Sequence, residues 1–156
     1  MGRAIASVIV GYVVMALVVF VSFTLAYVLM GADRTYQPGV YDVSTLWIVV
    51  AILLTIVAAI AGGYVAASIA KTSTPIKVLI GLVVVLGFGS VLMAQGGTDD
   101  DRPVVRDTNP TVWEAMSASR QPLWIALLNP LLAVGGILYG ASLKKRPTER
   151  RGDSTA

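Results

Sequence analysis

The sequence predicts an all-α membrane protein built as a bundle of four transmembrane helices. Three observations lead there: the apolar content, its division into four long runs, and the placement of the charges. Of 156 residues, 56% are hydrophobic, and the mean hydropathy is +0.76. That is more apolar surface than an aqueous domain of this length can bury. The excess falls in four runs, 4–30, 44–70, 76–94 and 122–143, which contain no Asp, Glu, Lys or Arg apart from Lys77 near a boundary. A bilayer crossing takes about 20 mainly apolar residues. The run 76–94 lies near that limit and the others exceed it.

The first run begins after Arg3, and Thr24, Leu25 and Ala26 resemble a small-residue cleavage site. A signal-peptide core holds about 7–15 apolar residues, whereas this run continues through Val28, Leu29 and Met30, so a retained anchor is expected. The loop before the second run carries Tyr36 and Tyr41, with Trp47 just beyond it. Such rings suit the headgroup level, where an apolar body and a polar tip both find partners. Between the second and third runs, "KTSTPIK" reads as a tight hairpin, with Thr74 as helix cap and Pro75 in the first turn, where its missing N–H costs nothing.

The longest polar segment, 95–121, contains Thr111 and Glu114 at capping-box spacing, followed by Met116 and Ala118. It predicts a short interfacial helix that turns Trp113 and Met116 toward lipid or the bundle, with Trp124 marking where the fourth helix meets the interface. The basic tail 144–156 is too poor in apolar groups to offset ordering entropy, so disorder is expected there.

Sorting Lys and Arg by the side each loop occupies gives Arg3, Lys71, Lys77, Lys144, Lys145, Arg146, Arg150 and Arg151 on one side. Arg34, Arg102, Arg106 and Arg120 fall on the other. The positive-inside rule then predicts both termini in the cytoplasm and the 95–121 loop outside. Net charge is +3 and the isoelectric point about 9.4, but the basic residues cluster at helix ends instead of forming a patch, which points to lipid headgroups and away from nucleic acid. Lys71, Lys77, Lys144, Lys145 and Arg146 are the expected headgroup and orientation residues.

One cadence is written twice. "AGGYVAASIAK" at 61–71 and "VGGILYGASLK" at 134–144 each place paired glycines in an apolar run and end on Lys71 or Lys144. In lipid, helices associate through close backbone approach at small residues. Gly62 with Ala66, Gly63 with Ala67, and Gly136 with Gly140 are spaced by four on one helical face, and with Gly135 they form the expected packing set. The cadence fits a parallel repeat of two helical hairpins. It fits equally two helices that converge on glycine grooves and basic exits because they end on the same side.

The chain has no cysteine and no histidine, which removes thiol chemistry, imidazole metal ligation and histidine proton relays. No catalytic, cofactor or metal residues are expected, and no enzyme activity. Asp99, Asp100, Asp101 and Asp107 lack the alternating ligand pattern of a calcium loop and read as a solvated acidic loop. Proton-coupled transport is disfavoured because the helices carry no internal ionisable acid or base. Asn129-Pro130 is the strongest polar interruption within a run. Pro130 removes a backbone hydrogen bond, and the site could bind an ion or polar solute. The plainer outcome, which the sequence favours, is a kink whose freed groups are satisfied by Asn129 or a neighbouring helix.

With its short basic start, long first helix and "GGYVAASIA" closing the second, the chain resembles the small, uncharacterised four-helix membrane proteins of bacteria. The resemblance covers mainly the first two helices, implies a bacterial inner-membrane setting, and transfers no functional residue. The expectation is a non-catalytic integral membrane protein, an accessory or self-associating subunit of a homo-oligomer or larger complex. A homo-oligomeric passive channel or small-solute transporter is the alternative.

Overall fold

The computed structural model describes residues 2–70, 72–95, 105 and 110–145. Lys71, Arg146 with the rest of the tail, and Asp99, Asp100, Asp101 and Asp107 lie outside the described residues. The elements are α1 (Gly2–Met30), α2 (Ala32–Thr35), α3 (Thr45–Ile69), α4 (Thr74–Gln95), α5 (Val112–Ala118) and α6 (Leu123–Lys145). Four of them, α1, α3, α4 and α6, are long and apolar enough to cross a membrane. Large side chains such as Leu17, Leu29, Leu53, Val85 and Leu131 point outward along them, as a bundle dissolved in hydrocarbon requires.

Helix α4 starts earlier than the sequence suggests. The Lys77 N–H donates to the Ser73 carbonyl at 3.3 Å, which puts Ser73 at the cap and Thr74 inside the first turn. Pro75 still falls where no helical N–H is required. Helix α3 begins at Ser44, whose hydroxyl accepts from the Trp47 N–H at 3.1 Å, an N-cap of the usual kind.

The start of α1, the end of α6 and the junction of α3 with α4 lie at one end of the bundle, the terminal end. The 31–44 segment and α5 lie at the other, the loop end. Helix α3 packs most extensively on α6, then α1 on α3 and α4 on α6, with a lesser contact between α1 and α4. The reason is legible in the glycines. A Cβ built on Gly63 would overlap the Ile137 backbone, one on Gly140 the Ile60 carbonyl, and one on Gly136 would sit 2.6 Å from the Ala59 Cβ. Only hydrogen at these positions lets the two backbones meet. On the next face of α3, a Cβ on Gly62 would sit 2.8 Å from the Gly11 carbonyl of α1, and the Ser7 hydroxyl donates to the Ala66 carbonyl at 2.7 Å. Gly62 and Gly63, about 100° apart around the helix, thus serve different partners. Ala59, Ala66, Leu79, Ala133, Ile137 and Ala141 complete this core, with Ala67 packed at its edge.

Gly135 is exposed, and among the described residues nothing lies within 4 Å of a Cβ placed there. Gly81 is equally open. The two copies of the cadence therefore pack differently: Gly62 meets Gly11, whereas the corresponding Gly135 meets nothing among the described residues. Helices α4 and α6 come together instead where a Cβ on Gly87 would lie 2.7 Å from Pro130 Cγ.

The loop end has its own small core of Tyr36, Tyr41, Val43, Ala115 and Ala118. Tyr36 and Tyr41 are 4% and 3% exposed, which corrects the expectation that they sit among headgroups. Their rings pack edge to face at 5.5 Å, and the Tyr36 hydroxyl donates to the Ala115 carbonyl at 2.6 Å. Backbone bonds from Arg120 N–H to the Tyr41 carbonyl and from Val43 N–H to the Arg120 carbonyl, both 3.0 Å, tie the two loop segments together. The capping box of α5 is present, with Thr111 and Glu114 bonded reciprocally. Bonds from the Thr111 backbone and hydroxyl hold the Glu114 carboxyl below its ordinary pKa. Trp113 and Met116 on the outer side of α5 are exposed, as is Trp124 at the start of α6.

Gly140→Ala and Gly63→Ala should each lower stability by roughly 1–3 kcal/mol, the usual range for forcing a methyl into a packed contact. Gly135→Ala should not. Thermal unfolding in detergent reads the contrast, and equal losses at all three positions would remove the close-approach explanation.

Candidate binding site

Helices α1 and α4, which touch at the terminal end, leave a cavity between them toward the loop end. Small residues set the first behaviour and large ones the second. Helices α1 and α4 meet near Gly11 and Leu79, but farther along Phe23, Thr24 and Tyr27 of α1 face Ser90 and Val91 of α4 across a cavity of about 570 Å³. Trp47 and Ala115 contribute walls from α3 and α5, and Asp42, Arg120 and Gln121 stand among its polar residues. The Phe23 and Trp47 rings pair edge to face at 5.9 Å, which makes one wall a fixed aromatic surface.

A second, more open cavity of about 220 Å³ is lined by Met15, Val19, Thr55, Val83, Asn129 and Pro130, among others. Ser90, Val91, Gln121 and Ala126 line both cavities, so the two adjoin. Val83 and Ala133 belong at once to this lining and to the main core; the core is the cavity floor.

Asn129 is the seventh residue of α6, roughly 9 Å along the axis from Leu123 at helical rise. Its Oδ1 is enclosed and has no hydrogen-bond partner among the described residues. Pro130, buried against Gly87, has no N–H to donate to the Ala126 carbonyl one turn back. The helix nonetheless continues to Lys145. An unpaired buried acceptor costs about 1–3 kcal/mol, and natural structures retain few of them.

The polar groups of the smaller cavity are neutral, with Thr55, Ser90, Gln121 and Asn129 in its lining. Its lining has no Asp, Glu, Lys or Arg, so it favours neutral groups. The Ser90 hydroxyl already donates to the Gly87 carbonyl at 2.7 Å, leaving its lone pairs free to accept. No cluster of metal-ligating side chains occurs among the described residues. Of the expected headgroup residues, Lys77 and Lys144 are exposed at the terminal end, and Lys145 closes α6. None of them is near the cavities.

Sequence reasoning found Asn129 and Pro130 but missed Ala126, Gly87, Ser90 and the Phe23–Trp47 wall. A signal for Ala126 was present, since a proline within a helix identifies the carbonyl four residues before it. Nothing in the sequence pairs Gly87 with Pro130. Comparison with family models, with curated proteins and with solved structures returned no match, so the assignment of this site rests on its own residues.

Asn129→Leu should raise the thermal stability of the unliganded protein, by an amount near 1 kcal/mol, because it removes an enclosed, unpaired acceptor while keeping the branching of the side chain. A clear loss of stability would instead mean that the amide is a structural linchpin.

Proposed function

We propose that this chain is a non-catalytic integral membrane protein that holds a small molecule in the cavity between α1, α4 and α6. The observation that carries the proposal is the pair of adjoining, largely apolar cavities, with Asn129 in the lining of the smaller. Volumes of this order are typical of pockets for small organic ligands, with apolar walls and few polar groups. Closure of the terminal half by the Gly63–Ile137 and Gly140–Ile60 contacts favours binding over conduction through a single chain. An accessory role in a homo-oligomer or larger complex remains part of the proposal, with the cavity as what the subunit contributes.

We further propose a bacterial inner-membrane location with both termini cytoplasmic, so that the cavity opens outward. The excess of Lys and Arg at the terminal end supports this orientation. The absence of native cysteine makes the topology simple to test. Ala126→Cys in intact cells should react with an impermeant maleimide added from outside, and Thr72→Cys should react only in inverted vesicles. The reverse pattern would sink the orientation.

Occupancy is tested by native mass spectrometry of the protein released from nanodiscs. The wild type should retain a small-molecule adduct after bulk lipid is stripped, and Ala126→Trp, which fills the junction of the cavities, should not. An adduct that persists unchanged in Ala126→Trp, or none in the wild type, would count against the cavity as the functional site.

A further inference from the structure

Resting on the binding role proposed above, we infer that the occupant of the larger cavity is a zwitterionic phospholipid of the surrounding bilayer. One acyl chain lies between α1 and α4, and the headgroup lies at Asp42 and Arg120. The cavity reaches the lipid-facing surface of the bundle. Two spans supply its sides, Phe23, Thr24 and Tyr27 from α1 and Ser90 and Val91 from α4, and Ser90 is exposed although it lines the cavity. Leu25 and Leu92 nearby on the same two helices are exposed as well. Phe23 is roughly 18 Å farther along α1 than Gly11, at helical rise, and Gly11 is where α1 meets Leu79 of α4. A lipid chain therefore has a way in that stays in hydrocarbon.

Polar groups are segregated along the lining. The Tyr27 hydroxyl donates to the Pro110 carbonyl at 3.0 Å, the Tyr36 hydroxyl to the Ala115 carbonyl at 2.6 Å, and the Ser90 hydroxyl to the Gly87 carbonyl at 2.7 Å. With those protons committed inside the protein, the sides of the cavity offer mainly apolar surface, and Thr24 is the one other hydroxyl that a span contributes. Asp42, Ser119, Arg120 and Gln121 all belong to the connecting segments of the loop end. A long apolar body with one polar head matches that division. A compact polar solute would set its polar surface against the Phe23–Trp47 wall.

Charge selects the head. Among the described lining residues Arg120 is the one base and Asp42 the one acid. Backbone hydrogen bonds join Arg120 to Tyr41 and Val43, the two neighbours of Asp42, so both charges are carried on segments tied to each other. A guanidinium is suited to phosphate. The adjoining carboxylate disfavours a second negative charge and favours an ammonium. Phosphatidylethanolamine carries both groups, whereas phosphatidylglycerol would bring an anion to Asp42 with no cation to offset it.

The test places the protein in nanodiscs of equal parts phosphatidylethanolamine, phosphatidylglycerol and phosphatidylcholine, and identifies by native mass spectrometry the lipid retained on release. We expect one phospholipid per chain, with phosphatidylethanolamine enriched roughly tenfold over phosphatidylglycerol, the effect of about one charge-assisted hydrogen bond. Phosphatidylcholine should fall between them, since its quaternary nitrogen has the charge but no N–H to donate. Arg120→Gln should lower phospholipid retention by a similar factor, and Arg120→Lys should restore part of it. Asp42→Asn should spare retention and abolish the preference for phosphatidylethanolamine. Ala126→Trp should lose the lipid.

Retention in proportion to abundance, a preference for phosphatidylglycerol, or an enrichment indifferent to Arg120→Gln would each overturn the headgroup assignment. An adduct that is not a phospholipid and is lost in Ala126→Trp would overturn the lipid while leaving the binding role intact. No adduct in the wild type, or one that Ala126→Trp retains in full, would overturn the binding role itself. Should Arg120→Gln not fold, the headgroup ratios in the wild type and in Asp42→Asn decide the question.

Discussion

The backbone-to-backbone contact between α3 and α6 is the constraint on which the rest of the structure depends. Lipid tails are as apolar as leucine, so a membrane helix gains little by trading lipid for another helix unless the contact is closer than lipid can achieve. Gly63, Gly136 and Gly140 provide that closeness, meeting Ile137, Ala59 and Ile60 with no side chain between. The other two spans attach to this pair. Helix α1 joins α3 through Gly11 and Gly62, and α4 joins α6 through Gly87 and Pro130.

The same distribution of side-chain sizes that closes one end opens the other. Glycine and alanine are concentrated where α3 and α6 approach their C-termini, whereas Phe23, Tyr27 and Trp47 occupy the loop end. Helices held together at one end and separated by aromatic rings at the other enclose a wedge of space. Asn129 lies within that wedge, and its enclosed oxygen is a local departure from the rule that buried polar groups are paired. Departures of this kind concentrate where a protein binds or reacts.

Much of the fold was legible in the sequence, because hydrocarbon imposes a simple rule: twenty or so uncharged apolar residues form a spanning helix. The four spans differ from their expected limits by only a few residues, and the Thr111–Glu114 box was visible from spacing alone. What spacing did not supply was direction around each helix. Gly135 and Gly136 look alike in sequence, yet one is buried and the other faces outward, because a step of one residue turns a helix by about 100°. Tyr36 and Tyr41 were misjudged for a different reason. Their burial depends on Ala115 and Ala118, which are too distant in sequence for any local pattern to connect. The cavity followed the same logic, since Asn129 and Pro130 stood out by residue type while Gly87 and Phe23 acquire meaning only from their neighbours in space.

The small core at the loop end also bears on how the chain is made. Tyr36 donates to the carbonyl of a residue 79 positions later. A ribosome adds residues in order, at about 5–20 per second, so the first hairpin is synthesised several seconds before α5 exists. During that interval Tyr36 and Tyr41 lack Ala115 and Ala118, and only hairpin neighbours such as Tyr27, Val43 and Trp47 are there to pack against them. The loop-end core is thus completed in two stages, a cluster within the first hairpin and then its closure by α5.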